Sequence, residues 1–417
     1  MSAAEQHSDR VAPAATAQTA RRGTGRFGSI LSLDDLEPAA RRRLPRPIFG
    51  FISGGVETEW SVRANREAFS QWAFMPRVLN DVSERSARQP LFGREYDAPF
   101  GVAPMGAAGL AGFRADLALA RAAAHANIPF VLSGSSFIPM EAIRAANPDT
   151  WFQAYLPTAR DAMAALIDRV AAAGFETLVV TVDVAVSGNR ENNVRNGYSS
   201  PLRPSLRLAL EGLRHPAWLA GTALKTILTD GIPHLENAAA TRGVAVLSSR
   251  AARTFTRDSM CWTDMKWLRG RWKGRLLLKG ILSPADAVMA RDLGMDGVVV
   301  SNHGGRQLDG AIPPLRALPG IVAKAGTMTV LLDGGIRRGA DVLKALALGA
   351  DFVFVGRPFL YAAAIGNEAG VAHAIDILKQ ELRRNLALLG CNAVDEVASR
   401  VVRADAGFPV LQHEAGE

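Results

Sequence analysis

From residue 99 onward the chain repeats one theme. A short apolar run stops at Gly, Ser, Pro or a charged group, and an Ala-rich helical stretch usually follows. The runs occupy residues 99–106, 129–133, 151–157, 177–183, 276–280, 297–304, 329–335 and 352–358. None alternates apolar with polar residues, so each reads as a strand buried on both faces. Helical stretches at 160–173, 284–293 and 338–348 separate runs, and another at 368–389 closes the series. Eight such strands with helical connections predict a (β/α)8 TIM barrel. A doubly wound sheet is the rival, but it usually has fewer strands and an early glycine-rich phosphate turn, and none follows the first run.

One connection breaks the rhythm. Residues 184–275 are too many for a helix and two loops, so the barrel carries a long insertion after strand 4. It holds 15 Lys/Arg against 6 Asp/Glu, while the whole chain of 417 residues has a net charge of only +8. The basic character therefore lives in the insertion, and the barrel is close to neutral. A Pro/Arg stretch (201–207), an apolar piece (218–228) and a basic stretch (250–275) lie inside it. The expected organisation is a disordered tail over 1–28 and one barrel domain over 29–417. Within that domain, Ser32 is placed to cap a first helix that ends at Arg41-Arg42-Arg43. An apolar fraction of 48% excludes wholesale disorder, and two cysteines exclude a disulfide scaffold. No apolar run reaches the ~18 residues of a membrane span, and the first 30 residues lack a signal-peptide core. A cytoplasmic protein is expected.

In such barrels the loops after the strands build the active site. The residues there are Gly106, Ser133, Gln153, Tyr155, Thr181, Asp183, Lys279, His303, Arg306, Asp333, Arg337, Gly356 and Arg357. Strand ends need some polar groups anyway, so it is the set that carries weight. In Ser301-Asn302-His303-Gly304-Gly305-Arg306 the glycines permit a tight turn that holds an imidazole near a guanidinium, a base beside an anion clamp. The same string also describes a satisfied loop histidine. Asp183 can orient and stabilise His303, with Arg190 adding a second cation; a structural Asp–Arg ion pair is the other reading. Asp333-Gly334-Gly335-Ile336-Arg337 and Gly356-Arg357 follow strands seven and eight, a frequent phosphate site in barrels. Lys279 would lie across the mouth without an acid partner nearby in sequence.

The strings SNHGGRQLD, LLDGGIRRGADVLKALALGA, FVGRP, TVDVAVSGNRE, WFQAYLP, LLLKG and RLPRPIFGFISGGVETEW resemble the FMN-dependent L-2-hydroxy acid dehydrogenase/oxidase family. The insertion looks most like the membrane-associated L-lactate and (S)-mandelate dehydrogenases. The resemblance implies FMN as cofactor and no metal. It makes His303 the base, Asp183 its partner, and Tyr155 a donor to the substrate hydroxyl. Arg190 and Arg306 would bind the substrate carboxylate. Gly106, Ser133, Gln153 and Thr181 would contact the flavin ring, and Lys279 would stabilise its reduced charge. Asp333 would bind the ribityl chain, with Arg337, Gly356 and Arg357 holding the phosphate, and Ser301 and Gly335 would also belong to the cofactor site. A homotetramer is the family's usual assembly.

Two positions depart from the family pattern. Phe51 stands where the family usually has a tyrosine that binds the substrate carboxylate. No replacement is expected among Tyr96, Tyr155, Tyr198 and Tyr361. Ser135 stands where glycolate oxidase has a tryptophan, leaving room for a substrate side chain. The implied function is oxidation of a lactate- or mandelate-type L-2-hydroxy acid to the 2-oxo acid, with quinone or another carrier as acceptor. An oxidase using dioxygen, or a member turned to a larger or peptide substrate because of Phe51, is the alternative. The insertion could dock on an anionic membrane on the inner face of the cytoplasmic membrane, steer anionic substrates, or line a subunit interface. Nucleic-acid binding is not expected, since no recognition motif accompanies the charge.

Overall fold

The computed structural model describes residues 27–199, 203, 205–248 and 257–404. The expected disordered tail, apart from Phe27 and Gly28, lies outside the described residues, as do parts of the Pro/Arg and basic stretches. Phe27 already belongs to the fold: its ring stacks on His373 with centroids 5.4 Å apart.

The eight apolar runs are eight parallel strands: β1 (Phe100–Val102), β2 (Val131–Ser133), β3 (Trp151–Ala154), β4 (Thr177–Thr181), β5 (Arg275–Ile281), β6 (Gly297–Val300), β7 (Thr329–Asp333) and β8 (Phe352–Val355). They pair in the order β1-β8-β7-β6-β5-β4-β3-β2. A parallel bridge between Val102 and Phe130 joins β1 to β2, with Val102 N–H donating to Pro129 O at 2.9 Å. The result is a (β/α)8 barrel. An antiparallel hairpin, Gln89–Leu91 with Arg94–Tyr96, adds Leu91 and Tyr96 to the side chains packed inside the barrel.

Strand geometry explains why polar residues gather at one end. Val131, Trp151, Val179, Leu277, Val299 and Leu331 point inward and fill the barrel. Successive side chains alternate faces, so the residue two places on points the same way. Those residues are Ser133, Gln153, Thr181, Lys279, Ser301 and Asp333. The apolar layer ends, and the next inward position is the mouth. A second core, between strands and helices, takes the outward residues such as Leu132, Phe152, Val180, Leu278 and Leu332.

Helices fall close to expectation at Arg160–Ala172, Pro284–Asp292 and Gly339–Ala347. The closing helix is longer than expected, Arg357–Leu389, but Asn367 breaks it with φ 49° and ψ −136°. Pro358 fits its first turn because proline lacks only an N–H that the helix start leaves unused. At the N-terminal side, Ser32 N–H donates to Asp35 Oδ2 at 2.9 Å before helix Leu36–Arg43. Helix Arg46–Ser53 follows, with Pro47 in its first turn.

The insertion is helical and tied to the barrel mouth. It contains Glu191–Asn196, Leu206–Arg214, a π-helical turn Leu219–Leu224, Lys225–Asp230 and Trp262–Arg271. Trp218 Nε1 donates to Leu110 O at 2.8 Å, and Glu236 N–H donates to Ser136 O at 3.0 Å. Asn192 Nδ2 donates to Gly50 O at 2.8 Å, fixing the insertion against helix Arg46–Ser53.

Candidate active site

After β6 the chain makes a left-handed turn. His303, Gly304 and Gly305 have φ of 57°, 64° and 75°. Glycine is at ease there; His303 is not, and such strain is characteristic of functional positions. Gly305 is sterically required, because a Cβ there would lie 2.7 Å from Val62 N. Asn302 holds the loop through reciprocal side-chain bonds of 2.7 Å with Asn65, and its Oδ1 accepts Gly305 N–H at 3.1 Å. Asp309 then accepts the Ser61 and Thr58 N–H groups at 2.9 and 3.1 Å at the start of helix Trp60–Glu67. Burial pushes the Asp309 carboxyl up, but these hydrogen bonds outweigh it and bring it down to about 2.

This turn aims the imidazole at two partners. His303 Nδ1 lies 2.9 Å from Asp183 Oδ1, and Nε2 lies 3.4 Å from the Tyr155 hydroxyl. Asp183 comes from the loop after β4 and sits over Gly280 in β5. Gly280 has φ 106°, and a Cβ there would lie 2.5 Å from Asp183 Cβ. Burial would push the Asp183 carboxyl up, but the His303 charge and hydrogen bond, with the Lys279 ammonium, hold it below the ordinary range. For His303 burial dominates: it lowers the imidazole pKa despite Asp183, with Lys279 and Arg190 adding to the fall. An ionised Asp183 fixes the proton on Nδ1, so neutral His303 presents a basic Nε2. Burial, reinforced by Asp183, pushes the Tyr155 phenol up, so it remains a donor.

Cations crowd the other side. Arg306 Nη1 donates to Gly54 O at 2.6 Å and Ile52 O at 3.3 Å. Arg357 donates to Ile52 O, Gly304 O and Gly54 O at 3.2, 2.9 and 3.1 Å. Arg190 donates to Gln307 Oε1 at 3.3 Å and to Arg306 O at 3.4 Å. Neutral carbonyls position these groups without cancelling their charge. Burial lowers the pKa of Arg190 and takes that of Arg306 well down, with the neighbouring guanidiniums repelling each other. An anionic ligand would relieve that repulsion.

The expected cofactor-binding residues can be tested by what they still lack. Lys279 Nζ donates to Asp333 Oδ2 and to Ser301 Oγ, both at 2.9 Å. Lys279 therefore has an acid partner that its sequence neighbourhood did not show. Burial pulls its pKa down, yet Asp333 and Asp183 outweigh it and raise it, so the ammonium persists. The other Asp333 oxygen, Oδ1, is buried and unsatisfied, as is Gln153 Nε2. Ser133 Oγ donates to Gln153 Oε1 at 3.1 Å, which leaves that amide nitrogen as the spare donor. Burial lowers Arg337 to about 10, with Arg357 repelling it; among the described residues no ion pair reaches it. Gly335, at φ 84°, lets the backbone pass where a Cβ would lie 2.2 Å from Asn65 O. An unpaired Asp333 oxygen in the lining, the spare Gln153 donor just behind it and an unneutralised arginine at one end fit the polar ring, ribityl chain and phosphate of FMN.

The N–H groups of Arg337 and Arg338 are already taken by Asp341 Oδ2 at 2.9 and 3.0 Å, and Gly339 N–H by Glu381 at 2.7 Å. The start of helix Gly339–Ala347 is thus capped by the protein's own carboxylates. The Gly334-Gly335 turn and the Arg337 and Arg357 side chains still face the cavity beside it.

These groups open on a cavity of about 800 Å³, within the range of small-molecule sites. Of the residues singled out in sequence, Phe51, Gly106, Ser135, Tyr155, Thr181, Arg190, Lys279, His303, Arg306, Asp333, Gly335, Arg337, Gly356 and Arg357 line it. Asp183, Ser133, Gln153 and Ser301 do not; they stand behind the lining. Ser301 Oγ links Lys279 to the His303 N–H at 3.0 Å, so its place is support rather than wall. Sequence reasoning missed three neighbours. Gln307 bonds Arg190 and also donates to Asp183 O at 3.1 Å. Arg257 Cζ lies 5.1 Å from the centre of the Tyr155 ring. Tyr198 stacks on Phe51 with centroids 4.4 Å apart, which overturns the expectation that no tyrosine stands near position 51. Gln307 lay inside a motif already noticed; the other two come from the insertion and carried no local signal.

A family model described as FMN-dependent dehydrogenase matches residues 40–404. The chain is 39% identical over 365 residues to (S)-mandelate dehydrogenase of Pseudomonas putida, covering 87% of this chain and 91% of that protein. It is 42% identical over 387 residues to L-lactate dehydrogenase of Caulobacter vibrioides, covering 90% and 99%. The solved structure of a monotopic membrane protein, (S)-mandelate dehydrogenase, superposes with a TM-score of 0.83 at 37% identity, covering 90% of this chain and 99% of that one.

Proposed function

The chain belongs to the FMN-dependent dehydrogenase family, and from that premise we propose that it oxidises an L-2-hydroxy acid with an apolar side chain to the corresponding 2-oxo acid. The observation that carries this reading is the Asp183–His303–Tyr155 line ending at a cavity that Arg190 and Arg306 also face. The flavin, when bound, would supply the acceptor for the two electrons and for one of the two protons. The oxidation releases two electrons and two protons from the C–H and O–H of the carbinol. His303 takes up one proton at Nε2, and the ionised Asp183 stabilises the imidazolium that results. Tyr155 donates to the substrate oxygen, while Arg190 and Arg306 hold the carboxylate and set the carbinol toward His303. Lys279, kept protonated by Asp333, supplies a fixed positive charge at the barrel mouth.

Chain length and shape of the substrate follow from the wall beside Ser135. Leu110, Phe137, Leu235 and Val246 line the cavity there, and Ser135 itself is small. An aromatic or branched side chain fits that lining better than the hydrogen of glycolate. Anaerobic addition of a panel of (S)-2-hydroxy acids to the holoenzyme tests the proposal: loss of visible flavin absorbance is expected with mandelate-type acids first. A flavin that no 2-hydroxy acid bleaches refutes it.

We further propose peripheral contact with a membrane surface, with a quinone or similar carrier as acceptor. Leu206, Leu210 and Leu213 are exposed along one face of helix Leu206–Arg214, and Leu224, Ile227 and Leu228 are exposed around Lys225–Asp230. Trp218, expected at that surface, is instead buried. Among the described residues no helix is long and apolar enough to cross a membrane, so the contact would be peripheral. Co-flotation with anionic vesicles, weakened by Leu210→Ser with Leu213→Ser, is the expected result.

A further inference from the structure

The Phe51–Tyr198 stack forms one wall of the cavity, and both rings line it. Phe51 comes from helix Arg46–Ser53, and Arg306 Cζ lies 5.4 Å from its ring centre. Tyr198 follows Gly197, the left-handed C-cap of helix Glu191–Asn196, whose N-cap is Arg190. Its N–H donates to Asn193 O at 2.8 Å, so the short helix that carries Arg190 also fixes Tyr198. The two residues arrive together.

The electrostatics tie Tyr198 to the anion clamp. Desolvation pushes its phenol up to about 12, opposed by the guanidiniums of Arg190 and Arg306. The hydroxyl therefore keeps its proton and is available as a donor. Among the described residues no hydrogen bond reaches it, and Tyr198 lines the cavity. Phe51, its stacking partner, has no hydroxyl at all.

We propose that Tyr198 is a substrate-binding residue whose hydroxyl donates to the carboxylate held by Arg190 and Arg306, supplying from the insertion the hydroxyl that position 51 lacks. The proposal rests on the 2-hydroxy acid reading above. Its consequence is that the insertion supplies a second group beside Arg190 to carboxylate recognition, as well as part of the substrate's side-chain wall. A donor to a charged group is removed by Tyr198→Phe with the ring, and hence the stack, retained.

The test uses the oxidised holoenzyme and a 2-oxo acid product, whose Kd is read from the perturbation of the flavin spectrum. Tyr198→Phe is expected to raise that Kd, and KM for the matching hydroxy acid, by about 10- to 100-fold while kcat changes by less than about threefold. The neutral 2-oxo amide, whose carbonyl accepts only an uncharged hydrogen bond, should lose clearly less affinity than the acid. Phe51→Tyr added to Tyr198→Phe should recover most of the lost affinity by returning a hydroxyl to the other ring of the stack. Unchanged acid affinity in Tyr198→Phe overturns the proposal, and so does an equal loss for acid and amide, which would mean that the hydroxyl does not read the carboxylate charge. If the wild-type flavin is neither bleached by hydroxy acids nor perturbed by oxo acids, the functional reading fails first and takes this proposal with it. Bleaching of wild type with an indifferent Tyr198→Phe removes this proposal alone.

Discussion

Gly280→Ala should damage catalysis without touching any group that meets the substrate. The new Cβ would lie 2.5 Å from Asp183 Cβ and 2.6 Å from Cγ. Carbon atoms pack at about 3.5–4.0 Å, so the carboxylate must retreat by roughly 1 Å. That stretches the 2.9 Å contact with His303 Nδ1 to about 3.9 Å, beyond hydrogen-bonding range. His303 then loses both its orientation and the charge that stabilises its protonated form. A misplacement of that size costs about 10²-fold in kcat. KM should barely move, because Arg190 and Arg306 are held by Gln307 and by the carbonyls of residues 52 and 54. The φ of 106° adds about 1–3 kcal/mol of backbone strain, visible as a lower Tm. Stopped-flow flavin reduction gives the rate, and a double-mutant cycle with Asp183→Ala gives the cause. Once the carboxylate is gone, Gly280→Ala should cost little further in kcat, although the overlap with the remaining Cβ still lowers the Tm. A variant with kcat within about threefold of wild type would refute the reasoning. So would an undiminished loss in the Asp183→Ala background.

Other predictions follow from the same geometry. Because burial lowers the His303 pKa, the acid limb of the kcat/KM profile should have its midpoint below the ordinary imidazole value of about 6.5, activity falling as pH drops and Nε2 gains its proton. Asp183→Asn removes an influence that raises that pKa, so the limb should move further toward acid while kcat falls; movement toward neutral pH would be the wrong sign. Lys279→Met leaves Asp333 buried and unpaired, which should cost about 3–5 kcal/mol of stability measured by denaturant unfolding, together with weaker FMN retention. Ser135→Trp should fill the wall beside Leu235 and Phe137, so that kcat/KM falls for mandelate-type acids far more than for glycolate. Asp309→Ala removes the carboxylate at the start of helix Trp60–Glu67 and should lower stability by about 0.5–2 kcal/mol near neutral pH.

The acid side of Asp309 has a definite sign. Its folded-state carboxyl is depressed to about 2, against an ordinary value of about 3.9, so its contribution is present above the ordinary value and disappears as pH falls through the lower one. Wild type and Asp309→Ala should therefore converge in stability toward pH 2.

Much of the barrel and its mouth was legible in the chain because both follow from local rules. A strand buried on both faces needs an unbroken apolar run, and a side-chain period of two dictates that the polar residue ending the inward row faces the mouth. Lys279, Asp333, Thr181 and Gln153 were found because each stands where an apolar run stops, and His303 because Gly304 and Gly305 permit a tight turn beside it; the side-chain period of two is the reason those ends face the mouth. Their partnerships were a different matter. Lys279 and Asp333 meet across the barrel interior, and Asp183 meets His303 over Gly280, through pairings between strands far apart in sequence. Only closure of the barrel sets those distances. Nor does any short-range pattern record that the Gly339–Ala347 helix spends its N–H groups on Asp341 and Glu381, or that Arg357 is already bonded to carbonyls at residues 52, 54 and 304. Tyr198 is the sharpest case: nothing local distinguishes it, and it becomes part of the site because a 92-residue insertion folds back to lay its ring on Phe51. Periodicity and backbone sterics act over a few residues and are written in the chain; which side chains then share a cavity is settled by packing between distant segments.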